Sequence, residues 1–330
     1  RTGAHIETEP LDGPSLVEVG RGELVESRHR IAACAVNAAG RTLFELGTVD
    51  VPVFLRSSAK PFIAAASVRA GAVDAFGFDE RELALMCASH AAEPEHIESV
   101  LSMLRKAEIP VDALRCGGKP TAVYNNCSGK HAGILALAKH IGAPLDTYLE
   151  PDNPAQQAIL ELCERVVRER FPSSRIAVDG CGIPVFATSL RRAARAFARL
   201  ATLEDLEDDD RRALARARAA MIAHPWYVAG TGRFDTALIE ATAGAVVAKG
   251  GAEGVHCDAL VALRGGLALK VVDGNSRAVP PMVVSILERL EALDPGAQAA
   301  LESFRRPAVH NVAGRLVGSI ELEGARERSS

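Results

Sequence analysis

Three things are scarce in this chain, and each scarcity closes off a class of function. Aromatic residues make up only 4%, too few for a surface that stacks nucleic-acid bases. Positive charge is not in excess: 38 Lys and Arg face 42 Asp and Glu, a net charge of −4. No basic field therefore exists for a phosphate backbone or an anionic lipid surface. Long apolar runs are missing too. Stretches such as Gly133 to Ala138 fall far short of the roughly 20 residues a membrane-spanning helix needs. The opening, Arg1-Thr2-Gly3-Ala4-His5, has no charged-then-apolar pattern of a secretory leader. Cysteines are present but do not form a framework. The seven (Cys34, Cys87, Cys116, Cys127, Cys163, Cys181 and Cys257) are odd in number and dispersed. They read as reduced thiols of a cytoplasmic protein, most of them small buried apolar residues. What is abundant is apolar surface, 48% of 330 residues, the mix of a soluble protein with a sizeable core.

The order of local patterns points to one α/β unit. The first dozen residues are polar and read as a loose arm. Leu16–Leu24, Ile31–Asn37 and Thr42–Thr48 are strand-like runs broken by Gly, Asn and charged residues, the pattern of an antiparallel meander. Helical spacing then dominates: 63–69, 80–88, 94–108, 130–140, 154–171, 186–203, 208–222 and 236–243, with a strand at 174–178. Strand-like runs return at 246–248, 259–263 and 267–272, followed by a helix at 281–293 and a closing strand at 315–322. The expected fold is a single catalytic unit over 1–330. Its antiparallel sheet is built from N- and C-terminal strands (about 14–60 and 244–330), with a helical middle region (about 61–243) packed on it.

Five polar clusters interrupt this apolar background. Arg56-Ser57-Ser58-Ala59-Lys60-Pro61 sets Ser57 and Lys60 one turn apart at a helix start. There a lysine can take a serine proton, and backbone N–H groups favour negative charge. Ala88-Ser89-His90 closes a helix. Asn125-Asn126-Cys127-Ser128-Gly129-Lys130-His131-Ala132-Gly133 crowds Cys127, Lys130 and His131 at another helix start. It is not a nucleotide-binding loop, since Tyr124 stands where the first glycine should be and His131 replaces Ser or Thr. Asp179-Gly180-Cys181-Gly182 joins a carboxylate to a thiol; with Cys127 it offers donors suited to a tetrahedral zinc. Lys249-Gly250-Gly251 follows an apolar strand and is similar to the Lys-Thr-Gly element that accompanies Ser-x-x-Lys in serine β-lactamases. Farther from these, Arg233 and Asp235 could hold a zwitterionic amino acid, or pair with each other.

Assembled, these motifs resemble the thermolabile rhizobial-type L-asparaginase family, also called asparaginase II, over nearly the whole chain. The resemblance implies a serine β-lactamase/glutaminase-like α/β fold, a homodimer, and hydrolysis of L-asparagine to L-aspartate and ammonia. It implies two Ser–Lys tandems, Ser57 with Lys60 and Ser89 with Lys249. It also implies a zinc site near the substrate formed by Cys127, Lys130, Cys181 and Asp179. Arg56, His90, Asn126 and Arg233 are the expected substrate-binding residues. Ser57 is the expected nucleophile, with Ser89 as its rival. The alternatives are a related glutaminase or β-lactam-acylating enzyme, and a catalytically inactive zinc or amino-acid binding protein.

Overall fold

The computed structural model describes residues 10–323; most of the polar arm expected at the N-terminus lies outside them. The chain begins with β1 (Ser15–Arg21), β2 (Leu24–Asn37), β3 (Thr42–Leu46) and β4 (Pro52–Phe54). A 3-10 turn, Arg56–Ala59, leads into α1 (Lys60–Arg69). Next come α2 (Ala72–Ala75), α3 (Glu80–Met86), α4 (Pro94–Lys106), α5 (Ser128–His140) and α6 (Pro154–Val167). Two strands, β5 (Ile176–Val178) and β6 (Pro184–Ser189), precede α7 (Leu190–Thr202), α8 (Asp208–Ala223), α9 (Pro225–Ala229) and α10 (Phe234–Ala241). The chain closes with β7 (Val246–Gly251), β8 (Val255–Leu260), β9 (Gly265–Val271), α11 (Val279–Arg289), α12 (Pro295–Ala300), α13 (Glu302–Arg305), β10 (Ala308–His310) and β11 (Leu316–Leu322).

The main antiparallel sheet runs β10-β11-β1-β2-β9-β8-β7, with β3 also on β2. It therefore draws on both ends of the chain. Strand β2 is the joint: its first half pairs with β1, and its second half pairs with β9 on one side and β3 on the other. The stretch 25–30, expected to be a break, is strand because its side chains alternate between water and interior on the way to the apolar half. Strands β8 and β9 are buried on both faces. Helix α7 lies directly on them, as Gly266 allows: a Cβ there would stand 2.1 Å from the Ala194 carbonyl oxygen.

Helices α1 and α5 are the innermost. Nine of the ten residues of α1 are buried, charged Lys60 included. A helix apolar all round belongs to a core rather than a surface. Phe62 of α1 meets Phe197 of α7 edge-to-face at 5.2 Å.

Several boundaries differ from expectation. Residues 186–189 are strand, not helix: Pro184-Val185-Phe186-Ala187-Thr188-Ser189 carries β-forming side chains and pairs with β4 and β5 in a small second sheet. The helix begins only at α7, where the Ser189 hydroxyl accepts from Arg192 N–H. Strand β8 begins four residues earlier than expected and includes His256 and Asp258, both fully buried. Ser57 does not cap a helix. It sits in the 3-10 turn, and Ala59 occupies the N-cap position of α1.

Candidate active site

The cluster is built where three packed elements end at one point. Helix α1 delivers Lys60 from its first position, β7 delivers Lys249 near its end, and the turn after α3 delivers Ser89. That turn is fixed on both sides, by Ser89 N–H donating to the Val228 carbonyl and His90 N–H to the Asn126 carbonyl. The 3-10 turn is fastened to β7 because the Ser58 hydroxyl donates to the Lys249 carbonyl at 2.9 Å. The two glycines after Lys249 make this possible. A Cβ on Gly251 would stand 2.9 Å from the Leu55 carbonyl oxygen and 3.0 Å from Ser58 Oγ; one on Gly250 would stand 3.1 Å from Asp235 Oδ1. The Lys-Gly-Gly motif thus keeps open the space into which the turn and a carboxylate pack.

Both lysines end on the same serine. Lys60 Nζ lies 3.0 Å and Lys249 Nζ 2.9 Å from Ser89 Oγ. Their remaining contacts include the Ala88 carbonyl for Lys60 and the Gly250 carbonyl for Lys249. The Ser89–Lys249 contact is therefore present, while Lys60 turns to Ser89 rather than to Ser57. Among the described residues the Ser57 hydroxyl makes no hydrogen bond. It faces a cleft of about 310 Å³ that Ser89, Asn126, Arg233, Asp235 and His256 also line. Both lysines are wholly buried. Burial drives Lys60 down to about 8, against the pull of the Cys127 sulfur; the charges of Lys130 and Lys249 add to the fall.

The sulfur cluster adjoins Lys60. Cys127 and Cys181 contact each other, Lys60 reaches Cys127, and Lys130 Nζ lies 3.0 Å from Cys181 Sγ. The contact with Cys181, aided by Lys60 and Lys130, pulls the Cys127 thiol well below its ordinary value and outweighs burial. Burial opposes the Lys130 ammonium, but the two sulfurs beside it raise its pKa. Asp179 does not join these three. Its Oδ1 accepts from Arg56 Nε at 2.7 Å and from Gly180 N–H at 2.7 Å. Among the described residues no three His, Cys, Asp or Glu side chains are grouped to hold a metal. The two thiols suit zinc; Lys130, whose proton the sulfurs beside it favour, has to lose that proton to act as a third donor, and a carboxylate joins only if the Arg56–Asp179 pair opens.

The expected substrate-binding residues divide. Asn126 and Arg233 line the cleft; Arg56 holds Asp179; His90 is buried. His90 Nδ1 accepts from Ala92 N–H, which leaves the other ring nitrogen to donate to Ser128 Oγ at 2.9 Å. Burial drives its pKa to about 3, so it is a neutral strut that stacks on His96, which stacks in turn on Trp226. Arg233 and Asp235 do not pair. Asp235 is buried and accepts from Gly250 N–H at 2.9 Å, 3.5 Å from Lys249 Nζ. His256 and Asp258 were missed in the sequence. Their signal was two polar residues at a two-residue spacing in an apolar strand, which sets both on one face.

The sequence matches the L-asparaginase II family over residues 17–322. The chain belongs to the L-asparaginase II family. The family takes its name from an amidohydrolase activity. No individually curated protein matches the chain. Solved structures similar to it include one described as Mglu in its glutamate form, at 16% identity and a TM-score of 0.48, covering 80% of this chain and 62% of that one. A Bacillus glutaminase (13% identity, TM-score 0.37, 80% and 91% covered) and a putative β-lactamase from Bacteroides dorei (13%, 0.39, 78% and 93%) are also similar. The chain thus spans about 62% of the length of the Mglu chain. At these scores the likenesses carry no argument about its chemistry. No helix among the described residues is long and apolar enough to cross a membrane.

Proposed function

We propose that the protein hydrolyses L-asparagine to L-aspartate and ammonia through a serine acyl-enzyme in the cleft of Ser57, Lys60, Ser89 and Lys249. The observation that carries this is the convergence of both buried amines on Ser89 beside an unengaged Ser57 hydroxyl. A serine oxygen accepts two hydrogen bonds, and the two amines saturate Ser89. Its oxygen is suited to passing a proton, while Ser57 keeps its lone pairs for attack. Lys60, neutral above pH of about 8, swings from Ser89 toward Ser57 and takes its proton as Oγ bonds the amide carbon. The C–N bond then breaks, and Ser89 passes the proton from Lys60 to the departing nitrogen, which leaves as ammonia. Water hydrolyses the ester. A second reading, attack by Ser89 itself, is favoured by the presence of two amines within hydrogen-bond reach.

Zinc belongs to the same reading. Cys127, Cys181 and Lys130 would hold it, and when bound it supplies Lewis-acid polarisation and orientation of the substrate. Arg233 is the exposed cation on the cleft wall for the substrate carboxylate. The reading also takes the protein as a cytoplasmic homodimer, in keeping with seven free cysteines. Ammonia release from asparagine and glutamine, and the absorbance change of a chromogenic β-lactam, each with and without chelator, test the assignment. Asparagine should be turned over fastest; no ammonia from either amino acid would sink it.

A further inference from the structure

Behind Lys249 a line of buried charges continues that the hydrolytic scheme does not use. Asp235 Oδ2 lies 3.5 Å from Lys249 Nζ and accepts from Gly250 N–H at 2.9 Å. Asp235 Oδ1 lies 3.8 Å from His256 Nδ1, and His256 Nε2 lies 2.8 Å from Asp258 Oδ1. Lys249, His256 and Asp258 are 0–1% exposed, and Asp235 is 9% exposed. Unpaired charges at such depth are strongly unfavourable, so four in a row call for an account. Their placement follows from the strand pairing. Gly250 pairs with His256 and Ala248 with Asp258 in the β7–β8 ladder, and the start of α10 sets Asp235 over Gly250.

The two lysines on Ser89 differ in one respect. Lys249 has a carboxylate within 4 Å; among the described residues Lys60 has none. Lys249 Nζ also has three acceptors for three protons: Ser89 Oγ, the Gly250 carbonyl and Asp235. We propose that Asp235, backed by His256 and Asp258, fixes the Lys249 amine against Ser89 and so sets the orientation of the Ser89 hydroxyl in the cleft. Asp235, His256 and Asp258 are in this account positioning residues, and the account rests on the Ser–Lys reading above. The environment of the line is divided, since burial pushes the Asp258 carboxyl up against the pull of His256. Burial works against the Asp235 carboxylate, yet Lys249 and His256 hold its pKa below the ordinary range. Burial also opposes the His256 imidazolium, but Asp258 raises its pKa.

Because Asp235 and His256 line the cleft and Asp258 does not, positioning can be separated from substrate contact. Asp235→Asn keeps an acceptor for Gly250 N–H and removes the charge. Asp258→Asn acts only through His256. With L-asparagine, Asp235→Asn should lower kcat at least about 30-fold and Asp258→Asn about 5-fold, with KM within twofold of wild type for both. The double variant should match Asp235→Asn alone, because the two residues act in series. Asp235→Glu should recover part of kcat. If Asp258→Asn does not fold, Asp258→Ser takes its place with the same expectation. A raised KM with unchanged kcat in Asp235→Asn, or wild-type kcat in Asp258→Asn, would overturn the proposal. A wild type that releases no ammonia would overturn the Ser–Lys reading instead, so the two failures are distinguishable.

Discussion

Two buried charge clusters, on opposite sides of α1 in sequence logic, show how the same ingredients serve different ends. At one, Asp210 in the first turn of α8 is 1% exposed and is gripped by Arg69 of α1 and by Arg165 of α6, three hydrogen bonds of 2.7 to 3.1 Å. Each charge finds a directed partner, and the result is a clamp on three helices. At the other, Lys60, Lys130 and Lys249 share the Cys127–Cys181 pair and Asp235 as counter-charges, and Asp235 with Ser89 brings the cluster to the wall of a cleft. Cations there are held together by burial and by lone pairs rather than by matched anions. Lys60, which lacks a carboxylate, is driven to about 8. Completed pairing stabilises a fold; incomplete pairing beside open space leaves a group ready to exchange a proton.

The contrast breaks most sharply at the cleft. Ser57→Ala should lower kcat for ammonia release by about 10⁴-fold or more while leaving the unfolding midpoint in urea unchanged; activity within tenfold of wild type would place the reaction elsewhere. Asp210→Ala should do the reverse. Loss of the shared anion is expected to cost about 3 kcal/mol of stability in urea unfolding, with kcat per folded molecule unaltered.

A smaller effect separates neutral struts from titrating groups. His90 is held at about 3 in the folded protein by burial, against about 6.5 unfolded. Below pH 6.5 the unfolded chain takes up a proton that the folded chain refuses, so stability falls as pH drops from about 6.5 toward 3. His90 alone should remove about 2 kcal/mol between pH 7 and pH 5. The stability of His90→Gln, followed by urea unfolding at both pH values, should decline that much less; parallel slopes would show His90 to be protonated inside. Smallest is Arg233→Ala, which should raise KM for asparagine about tenfold, equivalent to about 1.4 kcal/mol, with kcat nearly constant. A change in kcat alone would remove Arg233 from substrate binding.

How much of this was legible in the sequence depended on the kind of signal. Strands at both ends and a helical middle followed from periodicity, and Asn153 caps α6 as expected, its Oδ1 accepting from Ala155 N–H. The strand β6 was hidden because only Thr188 and Ser189 separate its short apolar run from α7, and periodicity does not divide a run that short from the helix after it. Motifs gave the residues of the cleft but not their partners. The spacing of Ser57 and Lys60 allowed a contact along one helix, whereas a 3-10 turn at Ser57 and the arrival of Ser89 from α3 send the lysine to another serine. Likewise, Asp179 was grouped with the cysteines by proximity in sequence, while Arg56, 123 residues away, takes its carboxylate. Long-range pairing is set by packing, which no local pattern encodes.

The most direct measurement is the position of the covalent intermediate. Wild-type protein quenched during turnover of a slow amide substrate, then digested and mapped by mass spectrometry, should carry the acyl group as an ester on Ser57. An ester on Ser89, or turnover with no ester on either serine, would contradict the account.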